Sequence, residues 1–159
     1  MGVSHEYFRA DDRGTAVERV TGPDGDRLGV DGLDVGGMDP HLALPRLIAF
    51  AAGIPPARGE RPELVWPDPD EVPYPDETLV TSGTAWDDGT FLEELPDAWR
   101  DTLADVVEDA VPMLALQACD LDEAHFADYL HAEDSIRTFV GLAHRARTEG
   151  AHLYCLTSL

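Results

Sequence analysis

Apolar residues recur along this chain at two spacings, and the clearest helical stripe lies near its C-terminal end. Ile136, Phe139, Val140 and Ala143 fall on one face at helical spacing. Asp134 or Ser135 caps the start of that helix, and Arg145 and Arg147 sit where the carbonyl end of a helix favours cations. Gly150 supplies a left-handed stop. The stretch 151–159, Ala-His-Leu-Tyr-Cys-Leu-Thr-Ser-Leu, is too short and too β-prone for a second helix. It predicts a buried strand, paired inside a sheet.

The other spacing is two. Val3, His5 and Tyr7 alternate with Ser4, Glu6 and Phe8, which predicts a first strand over 2–9. Asp11 or Asp12 caps a short helix through Ala16, Val17 and Val20, and Gly22-Pro23-Asp24-Gly25 is a turn by composition. Residues 28–35 read as a short strand or a plain loop. Asp39 is a natural N-cap and Pro40 a natural first helical residue; Leu44, Leu47, Ile48 and Ala51 then form a stripe that Gly53 and Pro55 end.

Residues 55–75 hold seven prolines, which excludes a helix or a central strand. Leu64, Val65, Trp66 and Tyr74 call for burial, so 55–76 is expected as an ordered, extended loop. Residues 77–82 read as a strand and 83–89, with Trp86, as a loop or hairpin return. Pro96 opens a helix with Trp99, Leu103, Val106, Val107 and Ala110 on one face, which Pro112 stops or kinks. Residues 113–119 continue as a buried helix, and Asp120-Leu121-Asp122-Glu123 open another through Phe126 and Leu130. No internal repeat or domain boundary interrupts this order. The expected fold is one compact α+β domain over 1–159. A small mixed β-sheet would contain the N- and C-terminal strands, packed by three to five helices.

Charge narrows the partners. The chain carries 32 acidic residues against 11 basic ones, all arginine, for a formal charge of −21. A hydrophobic fraction of 43% still supports a folded core. So negative a field repels nucleic-acid backbones and anionic lipid, so direct nucleic-acid binding is not expected. A basic protein partner fits it; the plainer alternative is a solvated acidic surface. No basic segment followed by an apolar stretch opens the chain, and no apolar run nears the roughly 18 residues of a membrane span. With only Cys119 and Cys155, the expectation is a cytoplasmic protein with reduced thiols and no membrane partner. Oligomeric state is not encoded in these features.

Candidate chemistry is sparse. A phosphate loop, a dinucleotide glycine fingerprint, a zinc His-Glu helix and paired cysteines at metal spacing are all missing from the sequence. Asp122, His125, His131 and Glu133 form one polar cluster of metal-ligating types, but on a helix His125 and His131 would point to different faces. Exposed polar residues on an acidic helix are the plainer reading. His5 and His152 read as structural, hydrogen-bonded histidines, and His144 and His152 flank Gly150. Ser82-Gly83-Thr84 lacks a nucleophile elbow. Carboxylate pairs such as Asp11/Asp12, Asp87/Asp88 and Glu93/Glu94 are expected by chance at this acidity. Trp66, Tyr74 and Trp86 form a candidate recognition surface, with core burial competing for at least two of them. No catalytic residue, metal or cofactor is assigned.

Three stretches stand out together: the opening Met1-Gly2 with Tyr7-Phe8-Arg9-Ala10, then Leu33-Asp34-Val35 leading to Phe50-Ala51-Ala52-Gly53, and finally Glu149-Gly150-Ala151-His152 before an apolar strand. In that order they resemble the YfbM family of small bacterial proteins of unknown function. They span about a third of the chain. The family's usual aromatic or basic residue at the second helix is replaced by Gly37-Met38-Asp39-Pro40, and the proline-rich loop looks like an insertion. The resemblance implies a single α+β domain with the last strand in the sheet, and it transfers no catalytic residue.

Three functions remain in view. The first is a non-enzymatic protein-binding domain, of immunity, antitoxin or adaptor type, directed at a basic protein. The second is a small metal-dependent or acid/base hydrolase using 120–133. The third is a regulatory domain with a small-molecule pocket at Trp66, Tyr74 and Trp86.

Overall fold

The computed structural model describes residues 2–22, 32–35, 37–71, 86–87 and 89–159. Among them, strands β1 (Ser4–Ala10), β2 (Leu33–Asp34), β3 (Glu63–Trp66), β4 (Thr90–Glu94) and β5 (His152–Ser158) form one sheet in the order β2-β1-β5-β4-β3. Helices α1 (Arg13–Thr21), α2 (Ala43–Ala52), α3 (Asp97–Ala104), α4 (Val111–Cys119) and α5 (Tyr129–Glu149) complete an α+β domain. Every described pairing is antiparallel, so the mixed sheet expected from sequence is corrected to an antiparallel one. The expected strand over 77–82, the Gly22-Pro23-Asp24-Gly25 turn beyond Gly22, and Tyr74 lie outside the described residues.

Strand β5 is central, paired along its length with β1 and over five positions with β4. It is buried on both faces, which is why its sequence reads as a nearly continuous apolar run. Tyr154 and Leu156 join Phe8, Ala10, Leu92 and Ala16 in a small cluster under α1, with Val65 and Trp66 packed at its edge. Tyr7, Leu153 and Cys155 face the larger core, where α2, α3, α4 and α5 contribute Leu44, Trp99, Leu103, Leu114 and Phe139. Fully burying each such side chain contributes about 1.5–3 kcal/mol.

Local chemistry explains most boundaries. Asp12 caps α1 by accepting from the Thr15 N–H at 2.7 Å. Gly53 ends α2 in the left-handed region at φ 73°, and Gly150 does the same for α5 at φ 68°. Asp39 accepts from the N–H groups of His41 and Leu42 at 2.7 and 3.0 Å, but residues 40–42 form a turn and α2 begins only at Ala43.

Further expectations change. The proline-rich stretch is not all loop, since Glu63–Trp66 lies between its prolines as an edge strand, the one place where a sheet tolerates them. Helix α3 ends at Ala104, so Val106 and Val107 lie beyond it, and Glu108–Ala110 forms a single 3-10 turn. Pro112 starts α4 rather than stopping α3, because its missing N–H has no partner to lose in a first turn. Helix α5 begins at Tyr129, capped by Asp128 through the His131 N–H at 2.8 Å, which leaves Ser135 buried in mid-helix and 120–128 as turns.

Candidate functional site

Strand alternation sends polar side chains into the helix-covered face of the sheet. His5 is paired with Thr157, and Tyr7 with Cys155, across β1 and β5; Glu93 is paired with Cys155 across β4 and β5. All five therefore share one face. The segment leading into α2 lies against this corner of the sheet, as the Val35 N–H donates to the His5 carbonyl and the Tyr7 hydroxyl donates to the Met38 carbonyl. It brings Asp39 and His41 over the polar row.

The contacts form a chain. His5 Nδ1 lies 3.1 Å from the Thr157 hydroxyl, and His5 Nε2 lies 3.7 Å from Asp39 Oδ2. His41 Nε2 lies 2.7 Å from Glu93 Oε1. Cys155 Sγ is 3.9 Å from the Thr157 hydroxyl. His5, Glu93 and Thr157 are buried, whereas His41 is half-exposed. The second carboxylate oxygen of Glu93 is buried with no hydrogen-bond partner among the described residues.

Electrostatics sets the two imidazoles apart. Burial holds His5 below its ordinary pKa, against the upward pull of Asp39 and Glu93. The hydrogen bond to Glu93 lifts His41 above its ordinary value, outweighing partial burial. Burial pushes the Tyr7 hydroxyl and the Cys155 thiol well up, so neither ionises near neutrality. The corner thus combines a neutral histidine, a readily protonated histidine and a buried carboxylate, an arrangement able to accept and donate protons.

A second feature lies on the helical side. Phe50, Ala51, Val106, Val107, Met113 and Leu114 line an open groove of about 540 Å³ where the C-terminal end of α2 meets α4 and the segment after α3. Phe50, Val107 and Met113 are exposed in it, and Asp105, Thr102 and Gln117 add polar groups.

The residues singled out from sequence fare unevenly. Trp66 is half-buried on β3, Trp86 is half-buried, and Tyr74 lies outside the described residues. Asp122 and His125 are exposed in the turns before α5, His125 with φ 44°. His131 accepts from the Ala127 N–H at 3.2 Å, and Glu133 pairs with Arg137. Among the described residues, no group of three or more His, Cys, Asp or Glu is arranged to hold a metal ion. His152 is hydrogen-bonded at 2.7 Å to Asp97, and His5 to Thr157. Sequence reasoning missed His41 and Thr157, read Asp39 only as a cap, and set Glu93 aside among chance acidic pairs. The usable signal was Glu93 in a β-prone Thr-Phe-Leu context, a charge at a core-facing position.

No helix among the described residues is long and apolar enough to cross a membrane. Comparison of the chain with protein-family models, curated proteins and solved structures gives no match.

Proposed function

We propose that this chain is a non-enzymatic protein-binding domain whose partner is a basic protein, an inhibitory or adaptor role of the kind immunity proteins and antitoxins play. One observation carries the reading: among the described residues, six arginines are paired with carboxylates of the same chain. Arg13 pairs with Glu63 and Glu94 at 2.6 and 3.0 Å, and Arg147 with Asp105 at 2.6 Å. Arg100 pairs with Asp97 and Asp101, Arg137 with Glu108, Glu133 and Asp134, Arg46 with Glu123, and Arg9 with Glu149. An approaching molecule therefore meets uncompensated carboxylates, which steer a basic partner in and hold acidic ones off. The two cysteines are free thiols, in keeping with a cytoplasmic setting. Membership of the YfbM family is proposed on the three sequence stretches alone and names no partner.

The test is capture from native lysate at low and at physiological salt, followed by association rates for any protein recovered. One basic protein, held stoichiometrically at both and associating more slowly as salt rises, supports the reading. A diffuse set of basic proteins that washes off would reduce the acidity to a solvated surface.

A second reading, acid–base catalysis at the sheet corner, is favoured by the unpartnered, buried Glu93 oxygen and the divergent histidines. A turnover found in a hydrolase substrate panel should vanish in Glu93→Gln; activity that survives the change rules the corner out.

A further inference from the structure

The groove between α2 and α4 is an apolar concavity in an otherwise acidic surface. Its walls come from the last turn of α2, from the segment after α3 through Ala110, and from α4, where Met113, Leu114 and Gln117 recur at helical spacing. Phe50, Val107 and Met113 are 37%, 64% and 59% exposed, large for side chains of this type gathered at one place. The apolar surface continues past the cavity, because Ile54 beyond α2 and Leu116 on α4 are also exposed. A small molecule filling the cavity would leave those side chains in water.

The net charge around the groove is negative, although Asp105 itself is ion-paired with Arg147 at 2.6 Å. Asp105 lines it, Asp109 precedes the lining Ala110, and Asp120 follows Gln117 by one helical turn at the end of α4. None of the described residues lining it is basic. A second copy of the chain is a poor occupant, since each copy carries −21 and the two would repel as they approach. A peptide bound by strand addition would need a sheet edge, which the described walls of this groove do not contain.

We propose that this groove receives one face of an amphipathic α-helix from the basic partner inferred above, on which the assignment rests. Apolar residues at positions i, i+3, i+4 and i+7 of that helix seat against Phe50, Val107 and Met113. Lysine or arginine on its flanks lies beside the exposed Asp109 and Asp120.

The experiment measures binding of two labelled synthetic helices by fluorescence anisotropy at low and high salt, with the full chain. One peptide carries leucine on one face and lysine on the other; the second replaces lysine by glutamate. Variants Met113→Glu and Val107→Glu change exposed side chains, so thermal unfolding should confirm an intact fold. Each adds negative charge, which would tighten a purely electrostatic contact. Docking through the groove instead requires affinity for the leucine–lysine peptide to fall by about tenfold or more. The control Val3→Glu, on an exposed residue ahead of β1, should not weaken binding.

That pattern supports the proposal. Equal binding by wild type and both groove variants overturns it while leaving a basic partner in place. Equal binding of the lysine and glutamate peptides overturns the basic-partner reading itself. Binding of neither peptide, or a wild-type dimer that Met113→Glu dissociates, overturns the groove assignment.

Discussion

His41 and Glu93 meet at 2.7 Å across 52 residues of chain, one half-exposed ahead of α2 and the other buried on β4. Their hydrogen bond ties the segment leading into α2 to the sheet. Its worth depends on pH, because the bond lifts the imidazole pKa above its ordinary value of 6.5. A raised folded-state pKa gives stability that is fully present below pH 6.5 and lost as the pH rises through the folded value. His41→Ala should therefore cost about 1–2 kcal/mol in mildly acidic solution, a modest figure because His41 is half open to solvent. The cost should shrink in alkaline solution. Urea unfolding of both proteins across that range checks this, and a pH-independent difference would refute it.

His5 should behave in the opposite sense. Burial lowers its folded-state pKa, so its contribution is present above pH 6.5 and lost as the pH falls through the lower folded value. Histidine ring signals followed by NMR through a pH titration should place His41 above free histidine and His5 below it. Midpoints on the same side of the free value would show that the corner is not organised as described.

Gly37 holds the same segment against the turn that precedes α5. A Cβ added there would stand 2.3 Å from the Ala124 carbonyl oxygen and 2.8 Å from its carbon, and backbone cannot swing away as a side chain can. Gly37→Ala should cost about 2–3 kcal/mol, as overpacking does, and lower Tm by roughly 5–10 °C. A melting curve identical to wild type would mean that the two segments separate at no cost.

His125 adopts φ 44°, a left-handed backbone that a histidine occupies at some expense. Replacing it by glycine should leave stability unchanged or raise it by up to about 1 kcal/mol, the relief of strain working against the greater freedom of the unfolded chain. A loss larger than that, read by thermal or urea unfolding, would give the side chain a structural role its exposed position does not suggest.

What the sequence disclosed and what it concealed divide by range. Asp12, Gly53 and Gly150 mark helix ends by chemistry confined to one turn, and β1 and β5 show themselves by alternation or by a short apolar run. Strand β4 escaped because Glu93 and Glu94 make it look solvated. Glu93 is instead paired with His41 inside, while Glu94 accepts from Arg13 and from the Tyr154 hydroxyl at 3.1 Å. Asp134 and Ser135 resemble caps and so hide the true start of α5, where Asp128 does the capping and Ser135 faces the core. The polar corner draws on positions 5, 39, 41, 93 and 157, which only the strand register and one connecting segment assemble. No window of contiguous residues contains that information.

The position of β5 sets an order of events during synthesis. Strand β1, translated before β5, pairs with β2 and β5, and β4 pairs with β3 and β5. Among the described residues, the two halves of the sheet are therefore joined only by His152–Ser158. A nascent chain on the ribosome holds two open edges for as long as that segment remains in the exit tunnel. Such edges invite pairing with other chains. Chains that each carry −21 repel one another as they approach, which opposes such pairing before there is a finished surface to present.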